Sequence, residues 1–392
     1  MNNGVRIAVV SFPMASNLVT DVFVNDIIKI LSEIASKVYL ITKIGNKKSL
    51  DGSGCITIDI KIGLHFINRI SPRILSIIIQ AIKIAIIQTI FCLVILRINR
   101  KIDSILFFVG GALLLPSVIL SKLLRKRVLI MAMGLGSKTI NLQSKSTILS
   151  LILRAAEKLN FILADRIIVE SASVANDLKP FNIDENKIVP EGARFVDLSS
   201  FKPVKEIEER KNMIGFIGRL DRAKGILEFL NALPMLIGKY PDLNVLIVGD
   251  GPLRESVEKF ILENNFSSDK VKLLGFVPHE SIPSILNELK ILILPSYSEG
   301  LPTIIIEAMA CGTPVITYPV GGIPDIVKNG KTGFFLEDIS SKSIFLKTSE
   351  LLADTKLLEH ISKNARRLAS FYSYDDAIKR WKKIVYLNYE EI

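Results

Sequence analysis

The sequence predicts an α/β fold made of two doubly wound domains in series, and three observations carry that prediction. At 392 residues the chain is too long for one typical domain and suits two of about 150–200 residues, each able to bury its own core. Apolar runs of strand length alternate with helically spaced segments from residue 5 to about 197, the pattern of a parallel sheet covered by helices. Residues 190–209 break that alternation with Glu-Gly, Ser-Ser, Pro203 and a charged run, after which it restarts. The expected division is an N-terminal domain at 1–197, a linker at 198–210, a C-terminal domain at 211–370 and a final helix within 371–392 that packs near the first domain.

The elements follow in order. Residues 7–10 form an apolar run after Arg6 that ends in Ser-Phe-Pro, which reads as a strand and its loop and not as a signal peptide. Further strands are expected at 37–41, 104–109, 127–131 and 166–169, with a helix at 148–163. Ligands of such sheets gather at the carboxyl ends of the strands, so the loops at 11–16, 110–111 and 133–138 are candidates for an acceptor pocket. Residues 74–96 are apolar and long enough to span a bilayer. Gln80, Lys83 and Gln88 interrupt them, and strand-like segments lie on both sides, where one crossing would divide a single sheet between two compartments. They are read as a buried or interface-lying helix.

The net charge of +11 is unevenly placed. Residues 1–197 hold 25 Lys and Arg against 14 Asp and Glu, whereas residues 198–392 hold 25 of each. The first half is therefore expected to be drawn to an anionic membrane surface or substrate, through clusters such as 97–101 (RINRK) and 122–127 (KLLRKR). Those clusters lack interleaved aromatics and no nucleic-acid module is visible, so no nucleic-acid partner is expected. Cys55, Cys92 and Cys311 form no spaced pair, which points to a reducing, cytoplasmic setting. His65, His279 and His360 form no metal pattern, so no metal site is expected.

The second half carries the chemistry-bearing residues. Its strand at 213–217 runs into Gly218-Arg219-Leu220-Asp221-Arg222-Ala223-Lys224-Gly225, where Arg219 and Lys224 suit a diphosphate: arginine grips phosphate oxygens through paired N–H groups and lysine adds a point charge. The strand at 244–248 ends in Gly249-Asp250-Gly251-Pro252, a near match to a dinucleotide fingerprint that fails because Arg254 holds the third glycine position. Gly275-Phe276-Val277-Pro278 follows another strand and could flank a planar base.

At the centre lies 294–312, LPSYSEGLPTIIIEAMACG, with Glu299 and Glu307 separated by seven residues. A buried strand at 291–294 feeds a loop with Gly300 and Pro302. Pro302 suits the first turn of a helix and Gly312 the residue past its end. Both carboxylates then face the place where free N–H groups and the positive helix end hold an anion, so the implied ligand carries phosphate and hydroxyls together. Propensity objects, because Thr303, Ile304, Ile305 and Ile306 form a β-branched run.

Taken in order, GRLxxxKG, VGDGP, GFVP, the spaced glutamates, GTPVI and GGIPDIV resemble glycosyltransferase family 4, the retaining transferases of the GT-B fold. The resemblance is close over about 213–335 and general elsewhere, including ADRIIVESASVANDL before the break. It implies two Rossmann-like domains facing across a cleft, with the C-terminal helix crossing back to the first. It implies that Arg219 and Lys224 bind the donor diphosphate and stabilise its charge as the sugar leaves, that Glu307 holds the ribose hydroxyls and that Glu299 contacts the transferred sugar. Backbone around Gly300, Leu301, Pro302 and Thr303 would meet the sugar or distal phosphate, and Phe276 and Val277 would border the base. The implied reaction moves sugar from a nucleotide-diphosphate sugar to a saccharide or lipid-linked acceptor, without metal or added cofactor, in the cytoplasm or at the inner face of the cell membrane. Two departures concern the acceptor side: no glycine-rich turn follows the first strand, and 131–136 has no histidine. A nucleotide-sugar epimerase and a non-catalytic nucleotide-sugar-binding scaffold of the same fold remain alternatives.

Overall fold

The computed structural model describes residues 4–11, 18–42, 55–59, 73–108, 114–132, 147–176, 178–190 and 194–386. They form two compact units, one of Met1–Ala193 with Ala377–Ile392 and one of Arg194–Asp376.

The first unit holds β1 (Arg6–Ser11), β2 (Lys37–Thr42), β3 (Ile56–Asp59), β4 (Ser104–Phe108), β5 (Arg127–Ala132), β6 (Arg166–Val169) and β7 (Ile188–Val189), with α1 (Leu18–Ile34), α2 (Arg73–Ile98), α3 (Leu115–Leu123), α4 (Thr147–Leu163) and α5 (Ala172–Asn176). The strands run parallel in the order β3-β2-β1-β4-β5-β6-β7. Order reverses between β1 and β4, where Ile7 stands opposite Ser104. A bidentate pair fixes that junction: Arg6 Nη2 and Nε donate to Asp103 Oδ1 and Oδ2 at 2.6 and 3.0 Å, which holds the Asp103 carboxyl below its ordinary range. The loops expected at 12–16, 110–111 and 133–138, and His65, lie outside the described residues.

Residues 74–96 fall inside α2, which buries Ile87, Phe91, Ile95 and Ile98 in the sheet core. Gln88 is also buried, its Oε1 accepting from Ser117 Oγ at 3.0 Å. No helix among the described residues is long and apolar enough to cross a membrane.

In the second unit β8 (Met213–Ile217), β9 (Asn244–Val248), β10 (Val271–Gly275), β11 (Ile291–Leu294), β12 (Val315–Thr317) and β13 (Phe334–Phe335) form a parallel sheet in the order β10-β9-β8-β11-β12-β13. Its helices are α6 (Ile226–Lys239), α7 (Arg254–Glu263), α8 (Ile282–Glu288), α9 (Thr303–Ala310), α10 (Ile323–Ile326), α11 (Ser341–Ala353) and α12 (Thr355–Ala369). Residues 198–210, whose composition reads as a linker, are packed onto this unit. Phe201 and Ile207 enter its core, and the buried Arg210 guanidinium donates to the carbonyls of Lys205, Leu286, Leu289 and Cys311 and to Thr313 Oγ1. Composition could not show this, because a few buried anchors suffice to dock a polar segment.

The last helix, α13 (Tyr374–Tyr386), joins the first unit from Ala377 onward. Trp381, Ile384 and Val385 are buried there. Arg127 donates to the carbonyls of Ile384 and Val385, and Tyr386 Oη donates to Ile34 O at 2.6 Å.

Candidate active site

Strand order in the second sheet reverses between β8 and β11, and a crevice opens outside the carboxyl ends of strands at such a point. The loops leaving those two strands are Gly218–Gly225 and Pro295–Pro302. In the first, Asp221 Oδ1 accepts from Lys224 N at 3.1 Å and starts a short 3-10 turn that Gly225 closes at φ +70°. Gly225 lies so close to the Pro295 carbonyl that a Cβ would collide with it, and Tyr297 N donates to Ala223 O at 2.8 Å. The two loops are thus locked together by backbone.

That lock brings Lys224 to Glu299. Lys224 Nζ donates to both carboxylate oxygens at 2.6 and 2.7 Å, and Ser296 Oγ donates to Oε1 at 2.7 Å. The Glu299 side chain is 6% exposed. Its backbone is braced from the other side, where Gly321, at φ +55°, packs against Glu299 O too closely for any side chain and Gly322 N donates to Gly300 O at 2.7 Å.

Helix α9 starts beside this pair. Pro302 is its N-cap, one place before the first-turn position expected, and no side chain caps it, so its starting N–H groups are available to an anion. The helix forms despite its β-branched start because Ile305, Ile306, Ala308 and Met309 are buried, and packing of an apolar face outweighs propensity. It ends at Cys311, with Gly312 turning the chain at φ +69°.

Glu307, one turn into α9, is buried and pairs with His279 Nε2 at 2.8 Å. The His279 side chain is 66% exposed, and its ring lies 5.3 Å from that of the buried Phe201. Among the other expected residues, Phe276 is exposed after β10, Val277 and Thr303 are half-buried, and Leu301 is buried. The Arg219 side chain is 66% exposed and pairs with Asp221 through Nε at 3.3 Å. Two clusters therefore assemble, Lys224–Glu299–Ser296 and His279–Glu307. The sequence reading missed Ser296 and His279. Ser296 stands three residues before Glu299, a spacing at which one side chain reaches the other, whereas no local pattern ties His279 to Glu307.

Residues 199–368 match the family model for glycosyl transferases group 1. This part of the chain is thus similar to the group 1 glycosyl transferases. Among curated relatives, alpha-D-kanosaminyltransferase of Streptomyces kanamyceticus is 30% identical over 190 residues, 47% of this chain and 49% of that protein. The N,N'-diacetylbacillosaminyl-diphospho-undecaprenol alpha-1,3-N-acetylgalactosaminyltransferase of Campylobacter jejuni is 28% identical over 263 residues, 64% and 68% of the two chains. The chain spans about half the length of the first curated relatives it matches. The structure of Anabaena HepE in complex with UDP matches 97% of this chain and 99% of its own with a TM-score of 0.75 at 17% identity, a likeness of fold. The fold is GT-B, with two Rossmann-like parallel-sheet domains. The matched residues include every residue of both carboxylate clusters.

Proposed function

We propose that the protein is a retaining glycosyltransferase of family 4 that moves a sugar, as a hexosyl or related group, from a nucleotide-diphosphate sugar to a saccharide or lipid-linked acceptor in polysaccharide, glycolipid or other glycoconjugate synthesis. The observation that carries this reading is the buried Glu299 carboxylate held by Lys224 at the sheet's switch point, beside the uncapped start of α9.

Each residue has a physical role in it. Arg219 and Lys224 meet the diphosphate, and Lys224, with three N–H groups, can keep one bond to Glu299 while giving others to phosphate oxygens. Negative charge grows on the leaving diphosphate as the glycosidic bond breaks, and fixed cations with a helix start stabilise it without a metal or cofactor. Glu299 accepts from hydroxyls of the transferred sugar, and Gly300, Leu301, Pro302 and Thr303 present backbone to it. Glu307 accepts from the ribose hydroxyls, while Phe276 and Val277 border the base. The enzyme works in the cytoplasm, peripherally at the inner membrane face, with anionic lipid and not nucleic acid as its macromolecular partner. The charge asymmetry of the chain supports that placement.

Thermal shift tests the donor site. A ligand that binds only the folded state at about 100 times its Kd adds about 2.7 kcal/mol, so one class among UDP-, GDP- and ADP-sugars is expected to raise Tm by about 5 °C or more. The Arg219→Ala/Lys224→Ala variant should lose the shift. A shift retained in full by that variant would place the donor elsewhere.

His279 is expected to position Glu307. His279→Ala should raise the Kd for a ribonucleoside diphosphate about tenfold, the cost of one mis-set charged hydrogen bond. The 2′,3′-dideoxy compound should be affected little, and His279→Gln, whose amide can donate to the same oxygen, should recover most of the loss. Equal weakening of both ligands in isothermal titration would remove this role.

A further inference from the structure

We propose that a cavity in the first unit, between the end of α2 and the amino ends of β1, β2 and β3, binds a soluble phosphate ester: a dianion that carries a small apolar body. This goes beyond the transferase reading and does not depend on it, because every residue involved belongs to the first unit.

Strand register brings the groups together. Lys37 stands opposite Arg6, and Tyr39 stands opposite both Ala8 and Ile56. Side chains alternate between the two faces of a sheet, so Arg6, Lys37 and Tyr39 share the face of Ala8, whose core α2 joins through Phe91 and Ile95. A cavity of about 560 Å³ opens where that face meets the end of α2. Arg6, Lys37 and Tyr39 line it from the sheet, and Arg97 of α2 and Lys101 just after that helix line it from the other side. Ile56, Ile58, Val94 and Ile98 supply an apolar wall. The volume is that of a small-molecule site.

Charge sets the class of ligand. Four cations line the cavity, and no carboxylate does among the described residues. Arg6 is already held by Asp103, but Lys37, Arg97 and Lys101 pair with no carboxylate among the described residues. A basic residue in the last turn of a helix suits its dipole, which accounts for Arg97. It does not account for Lys37 on the sheet, or for Tyr39, which is 5% exposed and whose hydroxyl makes no hydrogen bond among the described residues. Unpaired cations and a free hydroxyl donor suit the oxygens of a phosphate monoester, and the apolar wall suits the group it is esterified to. Residues 11–16, the expected acceptor loop, follow the opposite end of β1, so this is a second site and its ligand is not the acceptor.

Isothermal titration of the full chain with 1-naphthyl phosphate tests this, in the Arg219→Ala/Lys224→Ala background so that the proposed donor site does not contribute. One saturable site is expected. Adding Arg97→Ala/Lys101→Ala should weaken it at least about tenfold, the loss of charge-assisted bonds, and adding Tyr39→Phe about threefold, the loss of one neutral bond. Inorganic phosphate and 1-naphthol each lack part of the ligand and should bind at least about tenfold more weakly than the ester. Arg97 and Lys101 are exposed and carry like charges beside one cavity, so without ligand the Tm of that variant should equal or exceed its parent's, which shows it folded. The proposal is overturned if no saturable binding appears at millimolar concentration, if both variants bind as tightly as the parent, or if naphthol binds as tightly as the ester. It is also overturned if the chain takes up no naphthyl phosphate yet sediments with phosphatidylcholine vesicles containing phosphatidic acid, and does so less after Arg97→Ala/Lys101→Ala, which would make a lipid headgroup the ligand.

Discussion

Glu299→Ala is expected to lower sugar transfer by about two orders of magnitude or more while leaving the protein folded. The carboxylate is held in one position by Lys224 on both oxygens and Ser296 on one, so it is preorganised before any ligand arrives. Misplacing a reacting group by about 1 Å costs about 10²-fold, and removing the group that orients the sugar should cost no less. The truncation also frees Lys224 from its partner, so donor affinity should hold or rise while turnover falls. Glu299→Gln keeps the hydrogen-bonding shape without the charge and should fall between. Release of nucleoside diphosphate in the presence of acceptor gives turnover, and titration with donor gives affinity. Near-wild-type turnover in Glu299→Ala would end the proposed role.

Arg210→Ala is expected to cost about 3–5 kcal/mol of stability in the second unit, because each buried acceptor left without a donor costs about 1–3 kcal/mol and water entering the vacated space recovers part of the sum. The guanidinium donates to four carbonyls and one hydroxyl, and burial pushes its pKa down to about 10. The sign of that shift matters. A folded value below the ordinary 12.5 means that burial of the charge itself opposes folding at neutral pH, a penalty that fades only as pH rises past about 10. The loss in the variant comes instead from acceptors left without a donor, including Cys311 O at the end of α9, where a cation also suits the helix dipole. Arg210→Lys should recover little, because an ammonium cannot reach five acceptors at once. Urea unfolding measures this, and a loss under about 1 kcal/mol would mean that water replaces the donor.

Much of this fold can be read from the chain because buried parallel strands are continuous apolar runs. The central strands of both sheets and the loops after β8 and β11 stand where those runs and their glycines put them. β3, only Ile56–Asp59, and β7, only Ile188–Val189, are too short to carry such a run. Propensity alone would make the start of α9 a strand, and burial of Ile305 and Ile306 supplies the physical reason that it is a helix. What stayed illegible is long-range. No local pattern shows that Arg210 is roofed by carbonyls from 205, 286, 289 and 311, or that His279 reaches a carboxylate 28 residues ahead.

The placement of α13 sets an order of assembly during synthesis. The first unit contains Trp381, Ile384 and Val385 in its interior, and Arg127 and Tyr386 tie them to strand and helix ends made far earlier. Residues 194–376 hold all of the second unit, so every residue of that unit is synthesised before the helix that the first unit still lacks. The half of the chain that emerges first is the one completed last, and until then the surface awaiting α13 must be kept from other chains.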